Sequence, residues 1–354
     1  MKREDSALRL GFTYAGCFLG AGYVSGQELW QFFGSFGWQG AGGLLLAILL
    51  FYGFGVLLLR LIQKTGIDQS DALVVTGEHP FLKALTGFLQ FFFLFGIFVI
   101  MAAGVGALAE QVLGVPPAVG SAVFCTVVML LSLRGTGGMM SVFSAVVPLL
   151  VICSVLISVI AVIRSGEDFG AFSAMASGGN PLLKNWAFSA FVYVSYNLFA
   201  SIGILAPVGV LIPSAKTVWR GIAVGCFLLL MIAAGIFLAL GTAPAAALAE
   251  LPMLVIAESV GQGWYLLYAL LLLGGMFGTS LSCMVASQHY FYHHFPGTAL
   301  HRPRTAILTG TAAWLGSLAG FGSLVGTVYP LCGYCGAFAL AGLLWHTISL
   351  RRKG

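Results

Sequence analysis

The sequence predicts an all-α polytopic membrane protein: ten transmembrane helices in two inverted halves of five, forming a single transmembrane domain over residues 1–354. Three observations predict it. The composition is too apolar for a water-covered surface: 59% of residues are hydrophobic, 8% are charged and mean hydropathy is +1.00, where soluble proteins carry about 25% charged residues. The apolar runs are continuous, as in Leu44–Leu59, which fits helices and not the two-residue alternation of barrel strands. Lys and Arg fall on one side of the spans in 14 of 16 cases. The apolar content also excludes a disordered chain, and the 48 Gly follow no period of three.

Apolar runs and breakers place the spans at about 8–33, 39–62, 81–113, 117–133, 139–163, 186–212, 217–241, 263–293, 304–320 and 323–349. Each approaches the ~20 residues that cross a hydrocarbon core. Between the seventh and eighth, Pro244–Gly261 carries Glu250, Glu258 and two prolines. It reads as a surface helix or hairpin on the outer side. With the N-terminus inside, the inner loops hold Lys2, Arg3, Arg9, Arg60, Lys64, Lys83, Arg134, Lys216, Arg220, Arg302, Arg304, Arg351, Arg352 and Lys353, and the outer loops Arg164 and Lys184. The positive-inside rule then puts both termini in the cytoplasm. The net charge of +5 is a topology signal here, and no nucleic-acid partner is expected. Tyr14-Ala15-Gly16-Cys17 faintly resembles a lipoprotein box, but Glu4, Asp5 and Arg9 precede it. The first helix is therefore expected to be retained.

Spans one to five (about 8–163) and six to ten (about 186–349) are nearly equal in length. Five is odd, so the second half is inverted relative to the first. Inverted repeats with interrupted helices at matching positions point to a midplane site in secondary transporters. Both first helices look interrupted. Span one contains Gly16-Cys17-Phe18-Leu19-Gly20-Ala21-Gly22-Tyr23-Val24-Ser25-Gly26-Gln27-Glu28, a poor continuous helix because each Gly costs ~1 kcal/mol against Ala. Span six contains Phe191–Gly203, where β-branched and polar residues crowd the middle and Ser195, Asn197 and Ser201 need partners at membrane depth. The competing account is helix packing through GxxxG spacings at Gly16/Gly20, Gly22/Gly26 and Gly274/Gly278. It leaves Glu28 unexplained, and an ionisable residue beside a break marks function by default.

An unwound helix frees N–H groups, which attract carboxylate, and C=O groups, which attract cations. Gly20, Ala21 and Gly22 leave room for a carboxylate. The carbonyls of Tyr193 and Val194 face an ammonium. Tyr23, Tyr193, Tyr196 and Phe199 could line the side-chain pocket, with Ser25, Ser195 and Asn197 as polar neighbours. Together these suit an amino acid. An organic cation held against the aromatics, with Glu28 as counter-charge, is the related alternative. In span eight, Thr279 and Ser280 offer two adjacent hydroxyls for Na⁺, since hard cations take oxygen ligands; the bland account is back-bonding to their own helix.

At these residues the chain resembles a family. Two broken helices at the starts of five-helix inverted repeats resemble the LeuT-type fold of the amino acid–polyamine–organocation superfamily. Gly20-Ala21-Gly22 is similar to its carboxylate-binding glycine motif. Phe191–Asn197 resembles its sixth-helix break, with Asn197 where an acidic residue often sits. The run Gly20–Glu28 resembles more closely the signature of the YkvI-type bacterial membrane proteins. The resemblance implies a sodium site between helices one and eight, with carbonyls of Gly16, Leu19 and Met276 and hydroxyls of Thr279 and Ser280 as ligands. A proton is the second candidate for coupling ion, with Glu28 its carrier. Family members that move divalent metals carry an acidic-Pro-Gly-Asn break in helix one, which this sequence lacks.

Other motifs carry less. His289, His293 and His294 form HxxxHH, but a metal site needs at least three well-placed ligands, and an interfacial cluster is the simpler account. Cys332 and Cys335 form CxxC in a Gly-rich helix, and seven scattered Cys give no disulfide framework. No enzyme constellation and no resident cofactor are expected. The sequence thus predicts a cation-coupled symporter, Na⁺ favoured, for a small amine-containing solute, an amino acid first. The alternative from another class is a ligand-sensing membrane subunit with a transporter fold and no net flux. The expected partners are the solute and the lipid bilayer, and spare GxxxG faces leave a homo-oligomer open.

Overall fold

The structure, a computed structural model, describes residues 3–67, 70–75, 79–134, 139–166, 169, 172, 180–294 and 302–353. Among them the chain is helical and no strand forms. In order the helices are α1 (Arg3–Gly16), α2 (Ala21–Val24), α3 (Gln27–Phe32), α4 (Gln39–Thr65), α5 (Ser70–Val74), α6 (Pro80–Leu113), α7 (Pro117–Arg134) and α8 (Met139–Arg164). There follow α9 (Trp186–Val210), α10 (Ala215–Thr242), α11 (Pro244–Ala247), α12 (Pro252–Val260), α13 (Gln262–His294), α14 (Arg302–Ser317) and α15 (Phe321–Lys353). Every expected span meets a helix, and the first is split over α1, α2 and α3. Six helices among the described residues are long and apolar enough to cross a membrane.

Local chemistry sets the helix ends. The Asn185 side chain accepts the Phe188 N–H at 2.8 Å and starts α9, and the Ser214 hydroxyl accepts the Thr217 N–H at 3.2 Å and starts α10. Both are N-cap bonds to otherwise orphaned donors. Gly66 and Gly114, both left-handed, stop α4 and α6. Pro starts α6, where its missing N–H removes a donor that had no helical partner anyway.

α1 packs along α10, and α9 lies between α4 and α15. The α9–α15 contact is a close backbone approach: a Cβ on Gly336 would stand 2.5 Å from the Ser195 carbonyl oxygen. α13 packs on α6 and α8 and reaches α2. The bundle thus gathers the pieces of helix one, the middle of α9, the middle of α13 and the first half of α15 around one buried centre.

Two expectations are corrected. α9 runs without interruption from Trp186 to Val210, so the second break is not formed. The polar residues read as signs of a break close onto their own helix instead. Ser195 Oγ donates to the Phe191 carbonyl at 2.7 Å, Asn197 Nδ2 to Tyr193 at 3.0 Å and Ser201 Oγ to Leu198 at 2.9 Å. Such back-bonds satisfy the hydroxyls and amide without unwinding the backbone, and β-branched residues cost a helix only tenths of a kcal/mol each. Nor do Gly16 and Gly20 form a packing face: a Cβ on either would meet nothing within 4 Å. Gly274 does pack, close to Val146 of α8.

The segment between the seventh and eighth spans, expected as a surface helix or hairpin, is helical but not superficial: it forms α11 and α12, and Leu251, Met253, Leu254 and Ala257 are fully buried.

Candidate functional site

Helix one is interrupted twice. α1 ends at Gly16, and Cys17–Gly20 continue in tighter bonds: Phe18 N–H to Ala15 at 3.0 Å and Gly20 N–H to Phe18 at 2.9 Å. α2 then makes a single turn before Ser25 and Gly26. Gly26 has φ +84°, a left-handed conformation that a side chain would strain. From there α3 starts in a new direction. The Ser25 hydroxyl donates to the Gly22 carbonyl at 2.8 Å and accepts the Gln27 N–H at 3.3 Å, which fixes the second turn.

α12 seats on this second break. The Met253 N–H donates to the Ser25 carbonyl at 2.9 Å, and Met253 packs on Gly26. Beside it Glu250 accepts the Gly322 N–H at 2.5 Å at the start of α15, where a carboxylate favours the positive end of a long helix. On the opposite side of α2, Tyr268 of α13 donates to the Val24 carbonyl at 2.5 Å and pairs with Ser154 of α8 at 2.9 Å.

The second turn brings Glu28 back over α2. Glu28 is 5% exposed. A Cβ on Gly22 would lie 2.1 Å from Glu28 Oε1, so the carboxylate fills the space that the glycine leaves. Tyr196 of α9 donates to Oε2 at 2.8 Å, and Tyr329 of α15 donates to the same carboxylate. The rings of Tyr196 and Tyr329 stack at 4.8 Å and 11°. Tyr193 stands edge-on to Tyr196 at 5.4 Å and packs on Phe32 at 5.1 Å and Phe33 at 5.0 Å. The Tyr193 hydroxyl is buried and has no partner at full hydrogen-bond geometry.

The structure therefore gathers Gly22, Glu28, Tyr193 and Tyr196 from the expected substrate set. Tyr23 lies beside them with its hydroxyl turned to the Leu229 carbonyl of α10 at 2.9 Å. Phe199 packs at the edge, 6.4 Å from Phe93. Gly20 and Ala21 form the start of α2. Val194 is wholly buried, and Ser195 faces α15 at Gly336. Asn197 is spent on the Tyr193 carbonyl, so that oxygen already holds a side-chain donor. The expected ammonium seat on the α9 carbonyls is thus corrected: with the helix unbroken, no unwound carbonyls exist there. Tyr329 and Phe32 are the residues that sequence reasoning missed. The one available signal for Tyr329 was Pro330 beside it, a proline inside an apolar helix.

For the ion site, Thr279 and Ser280 lie on α13 one turn beyond Gly275, where a Cβ would approach Ala21 at 3.7 Å. Thr279 Oγ1 donates to the Gly275 carbonyl at 3.0 Å. The Ser280 hydroxyl is fully buried with no partner. Met276 is fully buried beside them. Leu19 lies buried in the first break, and Gly16 ends α1. An orphaned hydroxyl at this depth is costly, so the donor set on α13 fits a hard cation that would accept it as a ligand. The side chains of His289, His293 and His294 lie outside the described residues.

No family model matches the chain. It is 26% identical over 350 residues to the uncharacterized membrane protein YkvI of Bacillus subtilis, covering 99% of both chains. A shorter stretch of 139 residues is 32% identical to the uncharacterized protein YyaD of the same organism, 39% of that protein's length. Among solved structures, a mutant of the Eremococcus coleocola manganese transporter matches with a TM-score of 0.56 at 15% identity, over 95% of this chain and 78% of that one. Mhp1, a nucleobase-cation-symport-1 family transporter in a closed conformation with bromovinylhydantoin bound, matches with a TM-score of 0.52 at 15% identity, over 92% and 74%. This is a membrane-transporter fold. The resemblance to LeuT-type transporters, read from helices one and six, holds at the level of the fold, although helix six is unbroken.

Proposed function

We propose that the chain is a secondary transporter that moves a small amine-containing solute by alternating access, coupled to a cation. The observation that carries this reading is Glu28: a carboxylate without a cationic partner among the described residues, folded back over the broken first helix and ringed by aromatics. In a chain of ten spans in two inverted halves, with both termini cytoplasmic, this site would lie near the midplane. The solute would sit between the helix-one break and the tyrosines of α9 and α15. An amino acid is the member of the class that the Gly20–Gly22 run favours, and an organic cation is the member that Glu28 favours.

Na⁺ is the favoured coupling ion. Gly16, Leu19 and Met276 would lend carbonyls, and Thr279 and Ser280 hydroxyls, in a site that links α13 to the first break. The orphaned Ser280 hydroxyl supports it. An ion there couples to the solute only by binding one conformation better than the other. A proton on Glu28 is the second candidate. The manganese and hydantoin ligands of the structural neighbours belong to those proteins.

Uptake of radiolabelled amines and amino acids into proteoliposomes, with and without an inward sodium gradient, tests the reading. Accumulation that follows the gradient is the expected result. Solute binding without flux would replace it with the sensing subunit.

A further inference from the structure

The protein already holds a carboxylate where the sequence reserves space for one from the solute. Glu28 Oε1 stands 2.1 Å from the position of a Gly22 Cβ, whereas a Cβ on Gly20 would meet nothing within 4 Å. A solute carboxylate brought to Gly22 would meet Glu28 at contact distance, and like charges in a water-poor site oppose one another strongly. α2 is four residues long, too short to offset that repulsion with a helix dipole.

Glu28 has donors but no counter-charge. The titratable groups that act on it are Tyr23 from α2, Tyr193 and Tyr196 from α9 and Tyr329 from α15, and no Lys, Arg or His is among them. On the α10 side, the Leu229 carbonyl is taken by Tyr23. Tyr196 and Tyr329 donate to the carboxylate. Tyr193 does not: its hydroxyl is buried beside that of Tyr196 and has no partner at full hydrogen-bond geometry. One carboxylate lacking a cation and one phenol oxygen lacking a full partner are what an ammonium needs, since its N–H groups can donate to both. Phe32, Tyr193, Tyr196 and Tyr329 pack on one another around the carboxylate, Tyr196 and Tyr329 each covering one face of the other, and a ring face turned to the ammonium would add cation–π attraction.

We propose that the solute is an organic ammonium that carries no carboxylate, a primary or methylated amine whose charge pairs with Glu28. This deepens the transporter reading and rests on it. The amine enters as the cation that Glu28 lacks, and its amino acid counterpart is rejected by the same residue.

Matched pairs test it, each with one carbon body: 2-phenylethylamine against phenylalanine, and 3-methylbutylamine against leucine. Binding to the purified full-length chain in nanodiscs is followed by calorimetry near neutral pH, and flux in proteoliposomes is measured alongside. The amine of at least one pair binds about tenfold or more tightly than its carboxylated partner, the scale of a single desolvated cation–π contact. Glu28→Gln removes that preference, Glu28→Asp retains part of it, and Tyr193→Phe weakens the amine alone. Size-exclusion profiles establish that each variant is folded; should Glu28→Gln not fold, Tyr193→Phe and Glu28→Asp carry the test. Tighter binding of the carboxylated member, absence of amine binding, or an amine preference unchanged across the folded variants overturns the proposal. An amino acid that is carried while amines are not sinks the proposal and leaves the transporter standing. An amine that binds by way of Glu28 but does not cross sinks the transporter and leaves the recognition standing.

Discussion

Gly22 has no room for a single methyl group. In Gly22→Ala the new Cβ meets Glu28 Oε1 and forces the carboxylate off the glycine. The Tyr196 bond to Oε2 then weakens or breaks. A hydrogen bond to a charged group contributes about 1.5–3 kcal/mol, so solute affinity falls by about tenfold or more while the chain still folds, as calorimetry beside circular dichroism would report. Ser280 gives the opposite pattern. Its hydroxyl is buried without a partner, and removing such a group relieves a desolvation cost of about 1–3 kcal/mol. Ser280→Ala is therefore as stable as the parent or more so in sodium-free buffer, yet loses sodium dependence of transport. Thr279→Ala loses it too. A sodium response unchanged in both variants takes the ion away from α13.

Helix one and helix six show what a sequence can and cannot disclose about an element. Four Gly within thirteen residues left few continuous helical options, and the breaks at 17–20 and 25–26 followed. Helix six carried an equivalent hint in Ser195, Asn197 and Ser201, but a polar side chain in a membrane helix has two ways to be satisfied. It can open the backbone to a ligand or bond to the preceding turn, and both leave the same residues in the sequence. The caps at Asn185 and Ser214 were legible because an N-cap acts within three residues. Tyr329 was not, because its partner Glu28 lies at the other end of the chain and only the fold brings them together. Hydrogen exchange should mirror this contrast: amides at 191–203 exchange slowly throughout, while those at 17–20 exchange orders of magnitude faster. Uniform protection across both stretches would contradict it. Gly26→Ala, forced to keep φ at +84°, costs about 1–2 kcal/mol and lowers the melting temperature.

At the scale of the whole molecule, a cavity of about 540 Å³ opens between α1, the end of α9 and the start of α10, lined by Ser6, Arg9, Leu10, Thr13, Ile212 and Thr217 among others. If this cavity is on the cytoplasmic side, as the distribution of Lys and Arg predicts, Thr13→Cys in a chain without its native cysteines reacts with an impermeant maleimide in inside-out vesicles and not in right-side-out ones. The reverse pattern inverts the topology. The second bend of helix one is held by one short piece of chain. α12 bonds the Ser25 carbonyl through Met253, and three residues earlier in sequence Glu250 clamps the start of α15. α12 and the bend are thus fastened to each other by a peptide hydrogen bond. A shift of α12 therefore pulls on the turn that carries Glu28 over Gly22, so the loop between two distant spans and the surface offered to the solute have to be tuned together.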